Sequence, residues 1–190
     1  MKLSREFYSR DTKKVAKELL GKVLIHETKE GTLKGKIVET EAYYGKGEDP
    51  ASRAHKGKSN FCMPMFEEVG KAFVYMVHNN WLLNIVSHSK GKVGAVLIRA
   101  LEPLEGIELM EKRRSVNNIR NLCRGPGRLT KALGINRSYN GVDLTGNDLF
   151  LEDSNEKFVI IKTKRIGISK GKSKLLRFYI KDNTFVSSGR

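Results

Sequence analysis

Two carboxylates and an aromatic ring recur at alternate positions of one short stretch, residues 35–45, which reads GKIVETEAYYG. Its Ile, Val, Thr and Tyr residues favour extended backbone, so a strand here would turn Glu39, Glu41 and Tyr43 to one face. A carboxylate can serve as a general base, and an aromatic ring can stack on a planar substrate. The stretch therefore predicts an acid/base site beside a ring, although a solvated face of an edge strand explains the same pattern.

The net charge indicates which partner such a site would meet. The chain has 190 residues, 36 Lys and Arg, 21 Asp and Glu, and a formal net charge of +15. Excess positive charge predicts attraction to polyanions. No apolar run approaches the roughly 20 residues that cross a bilayer, and the charged N-terminus does not resemble a signal peptide. Nucleic acid is therefore favoured over a membrane, and a cytoplasmic location is expected.

The two cysteines, Cys62 and Cys123, lie far apart and belong to no C-x-x-C or Cys/His spacing. Neither a disulfide framework nor a cysteine-based zinc site is expected. Composition indicates a globular protein, since 39% of the residues are hydrophobic and 30% are charged. No internal repeat or linker divides the chain, so one domain over residues 1–190 is predicted.

The elements that must position the central strand are predicted from periodicity and capping residues. Asp11 is placed to begin a helix over residues 12–20, and Gly21 to end it. A turn at residues 29–31 would join a strand over 22–27 to the central strand as an antiparallel hairpin. Further strands are predicted at 94–99, 157–164 and 176–180, and further helices at 104–114 and within 123–136.

A second hairpin is predicted from two apolar runs on either side of Asn79-Asn80, within residues 71–85. Met76, Val77 and His78 would lie close to its tip, where apolar groups are exposed. Either another part of the chain covers them, or they form a wedge that enters a DNA base stack.

Two stretches are candidates for contact with phosphates. Residues 124–131 read RGPGRLTK, where the open N–H groups of a helix start lie close to Arg124 and Arg128 and suit a phosphate. The spacing is not that of a P-loop. The second stretch contains no acidic residue between its cations, and backbone-phosphate contact is favoured over a solvated loop; its cations are Lys164, Arg165, Lys170, Lys172, Lys174 and Arg177.

Several stretches together resemble the alkyladenine DNA glycosylase family, the 3-methyladenine DNA glycosylases of the non-helical type. They occur in order from about Leu3 to Ser187. The matching stretches are VETEAY at 38–43, EDPAS at 48–52, FVY at 73–75, VLIRALEPLEG at 96–106, LCRGP at 122–126, LGIN at 133–136, RIGI at 165–168, LRFY at 176–179 and FVS at 185–187.

The resemblance implies a fold and an activity. The fold would be a single α+β domain built on a curved antiparallel sheet with flanking helices and a protruding β-hairpin that intercalates in DNA. The activity would be that of an enzyme that flips a damaged purine nucleotide from duplex DNA and hydrolyses its N-glycosidic bond, as a monomer, without metal or other cofactor and without cutting the backbone.

The resemblance also implies roles for individual residues. Glu41 matches the general base that activates water, while Arg99 and the backbone carbonyl of Ile166 match groups that hold that water. Glu39 matches a structural residue. The predicted base-binding residues are Tyr43, Tyr75, Arg53 and Asn84, and the predicted intercalating residues are Met76, Val77 and His78. Backbone contacts are expected from Arg124, Arg128, Lys170, Lys172 and Lys174.

Two positions depart from the family pattern. His78 stands where the family usually carries a tyrosine at the hairpin tip. Arg53 stands where the family usually carries a histidine that contacts the flipped base. An arginine there is predicted to disfavour cationic methylated bases and to favour neutral ones such as hypoxanthine, to whose O6 or N7 it can donate.

Two other functions are compatible with parts of the pattern. A non-enzymatic nucleic-acid-binding protein would explain the charge but would leave Glu41 and the tyrosines without a role. A metal-dependent nuclease would use Glu39, Glu41 and Asp49 as oxygen ligands for Mg²⁺ and would cut the strand.

Overall fold

Helices pack on a curved antiparallel sheet, as expected for an α+β fold. A computed structural model describes residues 1–154 and 156–187. The strands are β1 Val23–Thr28, β2 Gly31–Tyr44, β3 Ala72–Val77, β4 Asn80–Val86, β5 Gly94–Glu105, β6 Leu149–Glu152, β7 Ile160–Thr163 and β8 Arg177–Ile180. The helices are α1 Arg5–Tyr8, α2 Thr12–Glu18, α3 Ile107–Arg114, α4 Ile119–Leu122 and α5 Pro126–Leu133, with two short 3-10 helices, Met63–Phe66 and Arg137–Tyr139.

Strand β2 is the centre of the sheet, whose order is β3-β4-β5-β2-β1-β6. Along one side β2 pairs with β5, and along the other its first half pairs with β1 and its second half with β8, which also pairs with β7. The predicted hairpin of β1 and β2 is thus confirmed. Between β2 and β5 the register shifts at Ile37/Glu39 and at Glu39/Thr40, and such irregularities bend a strand.

The two faces of β2 have different surroundings. Thr40 points to α2, where its hydroxyl donates to the Ala16 carbonyl at 2.7 Å. Glu39 and Glu41 lie on the other face and both contact Arg99 of β5. Helix α2 therefore covers the face of β2 opposite to the two carboxylates.

The helix ends follow the capping residues of the sequence. The Asp11 carboxylate accepts a hydrogen bond from the Lys14 amide at 3.0 Å at the start of α2, and Gly21, with φ +82°, follows the helix. Helix α5 begins at Pro126 and ends at Leu133, and Gly134, whose φ is +72°, follows it. Glycine adopts this left-handed conformation without the steric cost of a Cβ.

Several predicted boundaries were wrong. The helix predicted over 104–114 begins only at Ile107, because β5 continues to Glu105, which pairs with Lys34 of β2. Acidic residues early and basic residues late suit a helix dipole, but pairing with β2 decides the conformation of residues 104–105. The strand predicted over 157–164 is also shorter and covers Ile160–Thr163.

Strands β3 and β4 form the second predicted hairpin. Val77 pairs with Asn80, so the turn residues are His78 and Asn79, one position earlier than the Asn-Asn pair suggested. Their φ values of 46° and 60° are left-handed at both positions, as a type I′ hairpin turn requires. The tip is uncovered in the structure: Met76 is 45% exposed and His78 is exposed.

Among residues 1–154 and 156–187, no helix combines the length and the apolar character that crossing a membrane demands.

Candidate active site

Glu41 is a fully buried carboxylate held by three different parts of the chain. Its Oε1 accepts a hydrogen bond from the Ile166 amide at 2.8 Å and lies 3.4 Å from Nη1 of Arg99. Its Oε2 accepts a hydrogen bond from the Tyr43 hydroxyl at 2.7 Å. The alternation in the sequence predicted Glu41 and Tyr43 on one face. The fold adds Arg99 from β5 and Ile166 from the segment between β7 and β8.

Burial and hydrogen bonding act on Glu41 in opposite directions. Removal from water raises its pKa, and the neighbouring Glu39 adds to this, whereas Arg99, the Ile166 amide and the Tyr43 hydroxyl lower it. The outcome is a pKa above the ordinary glutamate value. A carboxylate of this kind is a stronger base than one in water, provided that the surrounding pH keeps it ionised.

Glu39 has a different environment, although it lies on the same face. Its oxygens accept hydrogen bonds from Nε of Arg99 at 3.0 Å, from Nε of Arg177 at 2.6 Å, and from the amide and hydroxyl of Ser187 at 2.7 and 2.9 Å. Two guanidinium groups, a backbone amide and a hydroxyl thus donate hydrogen bonds to the Glu39 carboxylate. The geometry suits the structural role expected for Glu39, and it places Arg99 as a bridge between the two glutamates.

A pocket of about 750 Å³ lies in front of this cluster. Tyr43, Arg99 and Ile166 line it, and Glu41, which they contact, lies directly behind that wall. Of the residues expected to bind base or DNA, the pocket also brings together Tyr75, Arg53, Val77, His78 and Arg128.

Tyr75 and Phe61, which also line the pocket, belong to a cluster of rings with a guanidinium group beside it. The Tyr75 and Phe61 rings have centroids 5.4 Å apart and meet edge to face, and the Phe73 centroid is 4.9 Å from that of Tyr75. The Arg53 guanidinium lies 5.3 Å from the Tyr75 ring and 5.6 Å from the Phe61 ring. Both distances are within the range of cation–π attraction.

Burial and Glu41 raise the pKa of Tyr43, and burial also raises the pKa of Tyr75. Both tyrosines therefore keep their phenolic protons at neutral pH. The Tyr43 hydroxyl can remain a hydrogen-bond donor to an ionised Glu41 throughout the physiological range.

Several expected site residues lie outside this pocket. Asn84 is buried, and its amide donates to the Phe73 carbonyl at 3.0 Å across the hairpin. Met76 is exposed on the hairpin without lining the pocket. Nε of Arg124 donates to the Val186 carbonyl at 2.7 Å. Lys170, Lys172 and Lys174 are exposed on the segment whose residues 166–169 line the pocket.

Two cations expected to contact phosphates are instead buried. The side chain of Arg165 is 0% exposed and forms an ion pair with Asp49, and that of Arg177 is 11% exposed and pairs with Glu39. The interpretation of the basic run as a set of phosphate contacts was therefore wrong for these two residues. For the exposed lysines, contact with phosphates stays a prediction.

No role was predicted for Phe61, and Asp49 was offered a role only as an Mg²⁺ ligand in the nuclease alternative. Phe61 is 51% exposed within the long loop after β2. A large apolar residue among the charges of this loop was the one signal that could have identified it. For Asp49 no local signal existed, because its partner Arg165 lies 116 residues away in sequence.

The carboxylates of the nuclease alternative are not grouped as metal ligands. Glu39 is occupied by Arg99 and Arg177, and Asp49 by Arg165. Within residues 1–154 and 156–187 no group of three or more His, Cys, Asp or Glu side chains is arranged to hold a metal ion. The donor set that this alternative needs is thus not assembled.

Comparison with known proteins gives consistent matches along the chain. A family model described as methylpurine-DNA glycosylase matches residues 6–184. A protein of Clostridium perfringens (strain SM101 / Type A) is 45% identical over 204 residues, covering 98% of this chain and 99% of the relative. A protein of Chlorobium phaeobacteroides (strain BS1) is 42% identical over 190 residues, covering 98% and 95%.

Both relatives are named "Putative 3-methyladenine DNA glycosylase". The match with the family model covers most of the chain, including both glutamates, the hairpin and the pocket-lining segments. On these matches, the chain belongs to the methylpurine-DNA glycosylase family.

Proposed function

We propose that the protein is a monofunctional DNA glycosylase that flips a damaged purine out of duplex DNA and hydrolyses its N-glycosidic bond with water activated by Glu41. The observation that carries the proposal is the position of Glu41, a buried and basic carboxylate directly behind the wall of a pocket lined by tyrosines. A non-enzymatic DNA-binding protein would have no use for such a carboxylate, because its burial in ionised form is costly.

In the proposed reaction, ionised Glu41 accepts a proton from the attacking water as the glycosidic bond breaks. Its negative charge also stabilises the cationic sugar that develops in the transition state. Arg99 and the Ile166 carbonyl are proposed to hold this water. The hydroxyl of the water bonds to the sugar carbon, and the base leaves with the electron pair of the broken bond and takes up a proton, so that the products are the free base and an abasic site with an intact backbone.

The flipped purine is proposed to stack between Tyr43 and Tyr75. Extrusion of a base costs a few kcal/mol of stacking and pairing, and each base–aromatic contact returns about 1–3 kcal/mol. The exposed hairpin tip with Met76, Val77 and His78 is proposed to fill the space that the base leaves. Arg124, Arg128 and the exposed Lys170, Lys172 and Lys174 would contact the backbone.

The experiment that tests the proposal uses a labelled duplex with a single hypoxanthine, incubated with the protein in EDTA and examined before and after hot alkali. A glycosylase without lyase activity gives strand cleavage only after alkali. Cleavage without alkali would contradict the proposal and indicate lyase chemistry. If neither a hypoxanthine duplex nor alkylated DNA gave a product, the protein would be a DNA-binding protein without glycosylase activity.

The raised pKa of Glu41 predicts the shape of the pH–rate profile. The base must be ionised, so activity falls as pH decreases through this pKa, and the acid limb should lie above the ordinary glutamate value of about 4.3. Arg99→Gln removes a cation that favours the ionised form and should move the acid limb to higher pH. Single-turnover rates across pH measure this shift.

Arg128→Gln is the matched control for Arg99→Gln. Arg128 is an exposed pocket residue that makes no ion pair with Glu41 among the described contacts. Its loss should weaken duplex binding and leave the acid limb in place. An Arg99→Gln profile with the wild-type acid limb would show that Glu41 does not govern the rate.

The position of Arg53 predicts a preference between substrates. The Arg53 guanidinium beside the Tyr75 ring repels a cationic 7-methylguanine and can donate to O6 or N7 of neutral hypoxanthine. Arg53→His should lower the ratio of hypoxanthine to 7-methylguanine excision by about tenfold, since a good bidentate contact to a base is worth about 1–3 kcal/mol of discrimination. Single-turnover rates on the two duplexes give the ratio. An unchanged ratio would exclude Arg53 as the selecting residue.

A further inference from the structure

Asp49 and Arg165 form a bidentate ion pair in the protein interior. Nη1 of Arg165 lies 2.5 Å from Oδ2 of Asp49, and Nη2 lies 2.7 Å from Oδ1. Both side chains are 0% exposed. Burial opposes ionisation of Asp49, but the guanidinium outweighs it and holds the pKa of Asp49 below its ordinary value. The pair is therefore charged at neutral pH.

Such a pair needs an explanation other than stability. Burial of two charges costs about as much as their attraction returns, and well-packed apolar residues often stabilise a fold equally well. The residues around this pair suggest such an explanation. The Arg165 guanidinium carbon lies 4.5 Å from the centre of the Tyr43 ring, and Nη1 donates to the Ala42 carbonyl at 2.9 Å.

The pair also lies next to the contact that orients Glu41. Ile166, whose amide donates to Glu41, follows Arg165 directly in the chain. Asp49 is fixed in turn by the amides of Tyr44 and Ala51, each at 3.2 Å. The Arg165 side chain thus links the loop after β2 to the Tyr43 ring, while its backbone continues into the amide that holds the proposed base.

We propose that the Asp49–Arg165 pair is a positioning element of the active site, which fixes the Tyr43 ring for stacking and the Ile166 amide against Glu41. The inference rests on the proposed function, because it assigns the pair to the reaction that Glu41 performs. Neither residue touches the reacting atoms. Their effect is transmitted through Tyr43 and Ile166.

Two conservative variants test the inference. Arg165→Lys keeps a positive charge. It loses the bidentate contact with Asp49 and the planar guanidinium group that packs on the Tyr43 ring. Asp49→Asn keeps the size and an acceptor but removes the charge. For both we expect a single-turnover rate at least tenfold lower at neutral pH, with the duplex Kd changed by less than threefold.

The acid limb of the pH–rate profile separates positioning from a merely structural role. If the Ile166 amide is displaced, ionised Glu41 loses a donor, and the acid limb should move to higher pH in both variants. The other titratable groups around Glu41 are not mutated in either variant, and Arg165→Lys keeps the positive charge that acts on Glu41 from position 165. These groups are Glu39 and Tyr43 of β2, Arg99 of β5 and Tyr75 of β3.

Asp143→Asn is the matched control, because Asp143 pairs with Arg5 at 2.5 Å outside the pocket. It should alter the melting temperature without moving the acid limb. Folded Arg165→Lys and Asp49→Asn proteins with wild-type rates and acid limbs would overturn the inference while leaving the proposed function intact. Absence of base release by the wild-type protein would instead overturn the proposed function itself.

Discussion

Glu41→Gln should abolish nearly all base release while leaving a folded protein that still binds damaged duplex. A positioned general base contributes about 10²–10⁴-fold to a rate, and we expect a loss of about 10³-fold because glutamine cannot accept the proton from water. Its amide oxygen can still accept the hydrogen bond from Ile166. The measurement is the single-turnover rate on a hypoxanthine duplex, with the Kd determined in parallel.

Stability supplies the second readout for this variant. Burial raises the pKa of Glu41, so keeping it ionised at neutral pH costs stability, and the neutral glutamine removes that cost. The melting temperature should therefore stay the same or rise. Glu48→Gln is the control, since Glu48 is an exposed glutamate that pairs only with Lys92 at 3.3 Å in the described part of the chain. Retention of rate by Glu41→Gln within tenfold would rule out Glu41 as the base.

The local geometry of the site could be predicted from the sequence because it follows from local rules. A period of two places Glu41 and Tyr43 on one face of β2, and the structure joins them by a hydrogen bond. Likewise, Asp11 caps α2 and two apolar runs form the β3–β4 hairpin. Each prediction depends on residues within a few positions of one another.

The parts that could not be predicted depend on contacts between residues distant in sequence. Arg165 and Arg177 belong to a run without acidic neighbours, which indicates a solvated or phosphate-binding surface. Their partners, Asp49 and Glu39, lie 116 and 138 residues away. Only the complete sheet brings β8 beside β2, so no local charge pattern could show that these two cations are buried.

Glu39→Gln should have the opposite effect to Glu41→Gln, because it should destabilise the folded protein rather than inactivate it. Glu39 is 0% exposed and compensates the buried guanidinium groups of Arg99 and Arg177. Removal of one partner from a buried ion pair costs about 3–5 kcal/mol. For a chain of this size that corresponds to a melting temperature lower by roughly 10 °C. Urea and thermal unfolding measure both quantities.

Glu105→Gln is the matched control for Glu39→Gln, because Glu105 pairs with Lys34 at 2.7 Å while its side chain is 50% exposed. Loss of such a surface pair costs at most about 1 kcal/mol. At a temperature where Glu39→Gln is still folded, its single-turnover rate should exceed that of Glu41→Gln by at least tenfold. A stable Glu39→Gln protein with a rate as low as that of Glu41→Gln would make Glu39 part of the chemistry. The pair of variants thus separates the carboxylate that performs the reaction from the one that holds its neighbours in place.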